Sequence, residues 1–456
     1  MSSSSSSPTG LPEALTYDRV QRALLDRWPE TRLEPSLSRI RALCDLMGDP
    51  QTGYPVIMVT GTNGKTSTSR IIDGLLRGLG LRTGRFTSPH LESMTERISL
   101  HGDPLTPEQF SAAYADVAPY AAVVDRSGPH PVSFFEMLTG MAYAAFADAP
   151  VDVAVVEVGM GGVWDATNVA DAQVAVVTPI AVDHDRYLGD TPQAIAVEKA
   201  GIIKAGAMAV LAEQPLDAAG VLLRRVVEVG ATVAREGLEF GVTARVVGVG
   251  GQVVSLRGIA RSYDEMFLPL HGAHQAQNAA CAVAAVEGFV GGIELDPDVV
   301  RDVLAEATSP GRLELVRRSP AILLDAAHNP AGARATAEAV QEAFLFSPLV
   351  GVVGVMADKE AAGILAAFEP VLADVVCTQS STSRALPASE LAAVAEDIFG
   401  SDRVHVAGRL DDALDVAAAL AEQGGSSGEA IGSGGVLVTG SVITVGEARR
   451  LLGGPR

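Results

Sequence analysis

The chain has 456 residues, of which 48% are hydrophobic and 20% charged, so it can bury sizeable cores and is not intrinsically disordered. Its 34 Lys and Arg residues against 55 Asp and Glu residues give a net charge of −21, which argues against nucleic acid or an anionic membrane surface as a partner. A chain of this length favours two domains over one.

The first ten residues, MSSSSSSPTG, lack the basic and apolar stretches of a signal peptide, and we expect residues 1–10 to form a disordered tail. Three scattered cysteines, Cys44, Cys281 and Cys377, form no CxxC pair, which is typical of a protein in the reducing cytoplasm. No apolar run approaches the roughly 20 residues that a membrane helix needs. The sequence therefore predicts a cytoplasmic protein that does not enter a membrane.

The next part of the chain alternates short β-branched runs with Ala- and Leu-rich stretches, a pattern typical of an α/β fold. An amphipathic helix is predicted over residues 71–79, and alternation over residues 243–257 predicts a small antiparallel element. Runs that are apolar on both faces predict interior strands of a mostly parallel sheet. These runs are 56–59, 153–158 and 174–178.

A second α/β block begins near residue 320 and predicts a smaller Rossmann-like domain. Pro310 and Gly311 interrupt the helical periodicity before it, so we predict domains at 11–307 and 308–456. Residues 424–435 are rich in Gly and Ser and predict a surface loop. The predicted strands are 321–325, 349–356, 374–378, 403–407 and 436–440, with helices at 360–372 and 411–421.

The most informative motif follows the first predicted strand and opens the amphipathic helix. Phosphate groups need inward-pointing backbone N–H groups, close backbone approach at glycine and the positive end of a helix dipole. Lys65 adds a positive charge for the phosphates, and the hydroxyl of Thr66 or Ser67 can reach Mg²⁺. The alternative is a helix start that merely uses glycine. The predicted ATP-binding residues in this loop are Gly61, Thr62, Asn63, Gly64, Lys65, Thr66 and Ser67.

This phosphate loop departs from the GxxxxGK[ST] pattern because Val59 stands where the first glycine should be. The shorter TGTNGKT form resembles the Mur ligase superfamily. Further segments are similar, in the same order, to the folylpolyglutamate synthase/dihydrofolate synthase family, over nearly the whole chain after the tail. They are TSPHL (87–91), ERI (96–98), EVGMGG (157–162), WDATN (164–168), DH (183–184), EKAGIIK (198–204), HQxxN (274–278), PGR (310–312) and DAAHNP (325–330).

The resemblance implies an N-terminal P-loop (Mur ligase-like) ATPase domain with a central, mostly parallel sheet, followed by a smaller Rossmann-like α/β domain. It also implies an ATP-dependent ligase that adds L-glutamate to dihydropteroate and to folylpolyglutamates through an acyl phosphate. The expected partners are small molecules only, namely ATP, L-glutamate and dihydropteroate or folates, and the expected state is a monomer.

A metal site is implied at Ser88, Glu157 and His184. Glu157 ends a buried strand, where ligands bind in open α/β sheets, and its carboxylate suits Mg²⁺. His184 rests on the resemblance, since histidine is an unusual Mg²⁺ ligand and could be an ordinary loop residue. The resemblance further implies a carbamylated Lys199 that holds a second Mg²⁺, where composition alone suggests a surface lysine. K⁺ is an additional expected ion.

The second half of the chain is expected to complete the ATP site. The resemblance assigns Asn278, Arg312 and Asp325 to ATP binding, and it makes His328 catalytic together with Lys65 and Lys199. Arg312 can offer a guanidinium fork to phosphate oxygens. The alternative for the DAAHNP segment is a polar turn that starts a helix.

Four residues are expected to bind the folate ring, namely Ser133, Phe135, Asp165 and Ala166. An aromatic face and a carboxylate suit a flat, hydrogen-bonding ring. Phe135 could equally be a core residue ahead of an Ala- and Met-rich helix. Val163 replaces the arginine that the family usually shows in this segment, so a local pairing or substrate contact is expected to be lost.

Two other functions remain open. A peptidoglycan Mur ligase shares the phosphate loop, but too few residues precede Gly61 for its UDP-sugar domain. A P-loop ATPase or GTPase switch is disfavoured by the absence of an NKxD motif and by the extra TSPHL and EKAG segments.

Overall fold

The computed structural model describes residues 15–29, 35–423 and 433–453. The predicted tail at 1–10 and most of the predicted loop at 424–435 lie outside these ranges. Among the described helices, none is long and apolar enough to cross a membrane.

The first domain is built on an eight-stranded sheet. Its strands are β1 Val56–Thr60, β2 Thr83–Phe86, β3 Ile98–Leu100, β4 Asp103–Pro104, β5 Val153–Glu157, β6 Val174–Val177, β7 Met208–Leu211 and β8 Thr232–Arg235. They lie in the order β4-β3-β2-β5-β1-β6-β7-β8, and only β3 and β4 are antiparallel to their neighbours. Strand β1 lies between β5 and β6, so the carboxyl ends of these three strands meet at one edge of the sheet.

Helices cover both faces of this sheet. They are α1 Tyr17–Leu25, α2 Ser38–Leu46, α3 Lys65–Gly78, α4 Pro107–Ser127, α5 Phe134–Asp148, α6 Asp185–Leu188, α7 Pro192–Lys199, α8 Leu216–Val229, α9 Ala273–Phe289 and α10 Pro297–Ala305. Successive residues of β1 enter different cores, with Met58 facing α2, α4 and α5 and Ile57 facing α3, α9 and α10. Two covered faces explain why the interior strands are apolar throughout.

A small antiparallel sheet lies beside the main one, as the alternation predicted. Its strands are β9 Gly241–Gly248, β10 Gly251–Arg257 and β11 Ser262–Leu268, in the order β11-β10-β9.

The second domain is a six-stranded sheet with helices. Its strands are β12 Glu314–Arg318, β13 Ala321–Leu324, β14 Leu349–Val353, β15 Asp374–Cys377, β16 Val404–Val406 and β17 Gly435–Thr439, and its helices are α11 Pro330–Ala343, α12 Ala361–Phe368, α13 Ala388–Phe399, α14 Leu410–Gln423 and α15 Val442–Leu452. The strand order is β12-β13-β17-β14-β15-β16, with β12 alone antiparallel to its neighbour.

The predicted α/β architecture is confirmed, with differences at the ends of elements. The predicted strand 349–356 ends at Val353, and the predicted helix 360–372 ends at Phe368. Strand β12 was not predicted, because its charged sequence is half exposed at the edge of the sheet. Residues 306–313 between α10 and β12 are irregular, so the predicted boundary at 307/308 falls in a connecting segment, and the domain limits stay a prediction.

Candidate active site

The phosphate loop connects β1 to α3 and depends on two glycines. Gly61 and Gly64 have φ angles of 143° and 88°, a region that other residues rarely adopt. A Cβ atom at Gly61 would lie 1.9 Å from Thr178 Oγ1, and one at Gly64 would lie 2.4 Å from Asn278 Oδ1. Both positions therefore require glycine for backbone angle and for space, and Asn278, a predicted ATP-binding residue, packs directly on the loop.

The Lys65 amine is folded back onto this loop. Its Nζ lies 3.1 Å from the carbonyl oxygens of Gly61 and Thr62. Burial lowers the pKa of Lys65, while the carboxylates of Glu157 and Asp183 act in the opposite direction. The amine therefore lies within reach of two acidic groups in a water-poor setting.

Glu157 is the last residue of β5 and is almost fully buried. Its two carboxylate oxygens accept hydrogen bonds from the Thr66 hydroxyl at 2.9 and 3.1 Å, and the backbone N–H of Ser88 also donates to it. Burial raises the pKa of Glu157 to about 7, against the opposing charge of Lys65. Thr66 and Glu157 thus bring hard oxygen atoms together, with the Ser88 backbone N–H bonded to the same carboxylate.

Asp183 is the centre of a second cluster. Its Oδ2 lies 3.9 Å from His184 Nε2 and 3.5 Å from His328 Nε2, and it accepts a hydrogen bond from Asn329 Nδ2 at 3.2 Å. The Lys359 ammonium pairs with its other oxygen. Burial opposes ionisation, but the hydrogen bond from His328 and the positive charges of His184 and Lys359 hold the pKa of Asp183 well below its usual range.

The predicted metal ligands are divided between these clusters. Ser88 is hydrogen-bonded to Glu157, whereas His184 belongs to the Asp183 cluster. The negative charges of Glu157 and Asp183 both act to raise the pKa of the Lys65 amine. Within the ranges that the structure describes, no group of three or more His, Cys, Asp or Glu side chains is arranged to hold a metal ion. The Thr66, Ser88 and Glu157 oxygens fit Mg²⁺, which binds proteins through one or two carboxylates and completes its shell with phosphate oxygens and water.

Lys199 ends α7 with only 4% of its surface exposed, so it is not the surface lysine that composition suggests. Its Nζ donates a hydrogen bond of 2.7 Å to the carbonyl oxygen of Gly61. Burial, with the charge of Lys65, lowers the pKa of Lys199 to about 7. A substantial fraction of the Lys199 amine is therefore uncharged near neutral pH.

The second domain reaches the phosphate loop through polar contacts. Asn329 begins α11 and exchanges side-chain hydrogen bonds of 3.0 and 3.3 Å with Asn63. The hydroxyls of Ser67 and Ser309 lie 2.9 Å apart. The predicted loop residues are therefore in contact with the DAAHNP segment.

The other predicted residues of this domain, Arg312, Asp325 and His328, lie in the segments before β12 and after β13. Asp325 accepts hydrogen bonds from the backbone N–H of Leu313 and the Thr336 hydroxyl, so its carboxylate also supports the local fold. The Arg312 guanidinium donates to Gly311 O at 3.1 Å, and His328 Nδ1 lies 3.0 Å from a backbone oxygen. Asp325 and His328 thus follow β13, as the sequence predicted, and Arg312 lies before β12, next to Leu313, whose N–H bonds Asp325.

Lys359 was missed by the sequence reasoning. It follows β14 in an MADKE segment that shows no periodicity or known spacing. One signal was available, because the chain has only four lysines, and Lys65 and Lys199 are already part of the predicted site. Together with Asp183, His184 and His328, Lys359 lines a cavity of about 340 Å³ between the two domains.

Three of the four predicted folate-binding residues have local structural contacts. Ser133 begins α5 and its hydroxyl accepts from the backbone N–H of Glu136 at 3.2 Å. Asp165 is buried, accepts from Met160 N at 2.8 Å and from Thr167, and burial raises its pKa. The buried Ala166 follows it. Ser133 thus caps α5, whereas Asp165 holds the loop after β5 in place.

Phe135 is partly exposed and packs near Glu157. Its ring centroid is 5.7 Å from that of Phe86, and a Cβ atom at Gly159 would lie 2.5 Å from its Cζ. Phe135 therefore covers the backbone two residues after Glu157, at the carboxyl edge of the sheet.

Val163 lies against the EKAG segment. Its N–H donates to Glu198 O at 3.0 Å, and Asn168 joins the two segments by bonds to Val163 O and Gly201 O. The buried Glu198 Oε2 has no hydrogen-bond partner among the described residues, and burial raises the pKa of this carboxyl. The Glu198 oxygen left unpartnered among the described residues is consistent with the loss of a pairing that an arginine at position 163 would make.

Comparison with known proteins places this architecture. The Mur ligase middle domain matches residues 59–286, and the Mur ligase glutamate ligase domain matches residues 311–442, so the chain is a two-domain Mur-type ligase. It is 50% identical to the dihydrofolate synthase/folylpolyglutamate synthase of Mycobacterium tuberculosis, over 95% of this chain and 93% of the relative. The chain belongs to the dihydrofolate synthase/folylpolyglutamate synthase family.

Two solved structures agree with this assignment. The Mycobacterium tuberculosis folylpolyglutamate synthase complexed with ADP superposes with a TM-score of 0.93 at 50% identity, over 96% of this chain and 98% of that one. The Escherichia coli FolC in complex with DHPP and ADP superposes with a TM-score of 0.83 at 29% identity, over 97% and 99% of the two chains.

The position of Phe135 gives a first prediction. Phe135→Ala should raise the KM for dihydropteroate by about tenfold or more, a loss of about 1.4 kcal/mol, and change the KM for ATP by less than about threefold. Phe134→Ala is the matched control, because Phe134 is buried in the core of the same helix. Steady-state kinetics and thermal melts of both variants decide the matter. A large fall in stability for Phe135→Ala with an unchanged KM for dihydropteroate would show that Phe135 is only a core residue.

Proposed function

We propose that the protein joins L-glutamate to dihydropteroate, giving dihydrofolate, and to reduced folates, giving polyglutamates, with ATP as co-substrate. The observation that carries this proposal is the junction of the two domains. The phosphate loop, Glu157 and Ser88 of the first domain face Asn329, His328 and Lys359 of the second across one edge of the main sheet. The related Escherichia coli protein was solved with DHPP and ADP together.

The first step follows from the phosphate loop. The terminal carboxylate of the pterin substrate attacks the γ-phosphate of ATP in line and forms an acyl phosphate, with ADP as the leaving group. Lys65 moves its ammonium from the loop carbonyls to the phosphate oxygens and offsets their charge. Thr66, Ser88 and Glu157 would hold Mg²⁺, which would offset further negative charge on those oxygens.

The second step needs the other domain. The amine of glutamate attacks the activated carbonyl, and phosphate leaves. We assign glutamate to the cavity beside Lys359, because a buried ammonium next to His328 suits one of its carboxylates. Asp183 holds the Lys359 and His328 side chains in place. Closure of the two domains excludes water, which protects the acyl phosphate from hydrolysis.

Four finer statements belong to this proposal. The Lys199 amine is carbamylated and supports a second Mg²⁺, and K⁺ is an additional ion. The protein is a cytoplasmic monomer. Asn278, Arg312 and Asp325 bind ATP, while Ser133, Phe135, Asp165 and Ala166 bind the pterin. The assignments to ATP and to the pterin are supported by the position of these residues around the phosphate loop and at the carboxyl edge of the sheet.

The proposed reaction predicts that ADP release depends on all substrates. With dihydropteroate or tetrahydrofolate, added glutamate should raise steady-state ADP release by at least about tenfold over ATP alone. A coupled ADP assay with and without glutamate, together with mass spectrometry of the product, measures this. ATP hydrolysis of equal rate without glutamate would support a P-loop ATPase switch instead.

Lys359→Met should raise the KM for glutamate by about tenfold or more with little change in the KM for ATP, because it removes a carboxylate-binding charge. Arg384→Met is the control, since exposed Arg384 pairs with Asp358 near the same cavity without contacting Asp183. Initial rates at varied glutamate compare the two. An equal effect of both variants on glutamate KM would point to general electrostatic attraction and not to a binding contact.

The Lys199 carbamate makes a separate prediction. A carbamate forms only from the neutral amine, so a pKa of about 7 lets it form at and above neutral pH and opposes it as the pH falls below 7. Lys199→Arg keeps the positive charge but cannot form the carbamate, so it should lose activity as fully as Lys199→Ala. ¹³C NMR with ¹³C-bicarbonate should show a carbamate carbon in the wild type that is missing from the Arg variant. An active Arg variant would exclude this role.

A further inference from the structure

The loop of residues 87–97, here called the cis-Pro loop because its Ser88–Pro89 peptide bond is cis, belongs to the first domain but packs on α15 of the second. A Cβ atom at Gly446 of α15 would lie 1.9 Å from the carbonyl oxygen of Leu91 and 2.9 Å from its carbonyl carbon. The side chain of Leu91 packs against the hydrophobic core of the second domain. The helix therefore has a notch, made by a missing side chain, that receives the loop backbone.

An ion pair holds the same contact from the side. Arg449 of α15 is 11% exposed, and its Nη1 lies 3.1 Å from Glu92 of the cis-Pro loop. Its Nε lies 3.1 Å from Glu314 of its own domain. A guanidinium shared between carboxylates of two domains, and largely removed from water, fixes distance and orientation better than an exposed pair.

The docked end of the loop is rigidly connected to its catalytic end. The Glu96 carboxylate accepts hydrogen bonds of 2.7–2.9 Å from the backbone N–H groups of Leu91, Glu92 and Ser93. Three residues before Leu91, the Ser88 N–H donates to Glu157. Leu91 and Glu92 thus lie three and four residues along the same loop from the N–H that bonds Glu157.

We infer that Arg449 and Gly446 are positioning residues, which dock the cis-Pro loop on α15 and thereby hold Ser88 against Glu157 when the two domains close. The inference rests on the proposed function. It explains why the loop has an acidic side chain at Glu92 and why α15 has a glycine in a buried helical position, where glycine costs about 1 kcal/mol relative to alanine.

Two variants remove the docking in different ways. Arg449→Met deletes the ion pairs with Glu92 and Glu314 but keeps an apolar, unbranched side chain. Gly446→Ala adds one methyl group that the Leu91 carbonyl cannot accommodate, although alanine favours the helix itself. Arg409→Met is the charge-matched control, since it removes the same charge from an exposed residue of the second domain that pairs with Asp411 and Asp412.

Both docking variants should lower kcat by about tenfold and leave the KM for ATP and the dissociation constant for ADP within about twofold of the wild type. Amide hydrogen exchange should become faster at residues 87–97 than in the wild type, and Arg409→Met should change none of these quantities. Glu92→Gln should reproduce the fall in kcat, and the Glu92→Gln, Arg449→Met double variant should be no slower than the Arg449 single variant, because the single variant has already removed the partner of Glu92.

A kcat within about twofold of the wild type in both docking variants, or unchanged exchange of residues 87–97, would overturn the inference. A fall in thermal stability with unchanged kcat would show a purely structural contact. If the wild type has no glutamate-dependent activity, the proposed function fails, while the exchange comparison still tests the docking by itself. Should Arg449→Met fail to fold, Arg449→Lys, which retains the charge but not the fork, gives the same comparison with a smaller expected loss.

Discussion

The structure depends on the burial of ionisable groups at one edge of the main sheet. Glu157, Lys199 and Lys65 lie there with little access to water. A buried charge is costly unless hydrogen bonds or an opposite charge compensate for it. The compensation comes from the Thr66 hydroxyl, the Ser88 N–H and the carbonyl of Gly61. Each of these groups lies in the loop or the first helical turn that follows a parallel strand, so the sheet topology is what allows the charges to be neighbours.

The second domain extends the same arrangement. Asp183 belongs to the first domain, yet His328, Asn329 and Lys359 of the second domain bond to it. A low pKa keeps this carboxylate ionised across the physiological range, so the three partners are held in one orientation. The site is therefore shared between the domains, and neither domain contains the whole of it.

The sequence predicted what is local and missed what is distant. The phosphate loop was predictable because strand, glycine turn and helix are adjacent in the chain, and Glu157 because strand ends are visible as the end of an apolar run. Lys359 and Arg449 have no such signal, since their meaning depends on partners 176 and 357 residues away, Asp183 and Glu92. Helices α1 and α2 were not predicted either, because each has only nine residues, fewer than the window over which helical periodicity is recognised, even though they bury Leu24 and Leu43 in the core.

A structural role and the proposed pterin-binding role are compatible in the same residue, as Asp165 in the WDATN segment (164–168) illustrates. Asp165 is bonded to Met160 and Thr167, so its carboxylate orients the loop that follows Glu157. Rigid support of this kind is what a binding loop needs, because a flat ring is recognised only by groups that are already in position. The same reasoning applies to Glu157 and Lys199. With a pKa of about 7 for each, the carboxyl is partly neutral and the amine partly uncharged near neutral pH, which lowers the cost of burying them before substrate arrives. When ATP brings a divalent cation, ionisation of Glu157 becomes favourable, while the uncharged Lys199 amine is the form from which the proposed carbamate develops. The cost of burial is thus avoided in the free protein, and the full charge of the site develops only when a ligand of opposite charge is present.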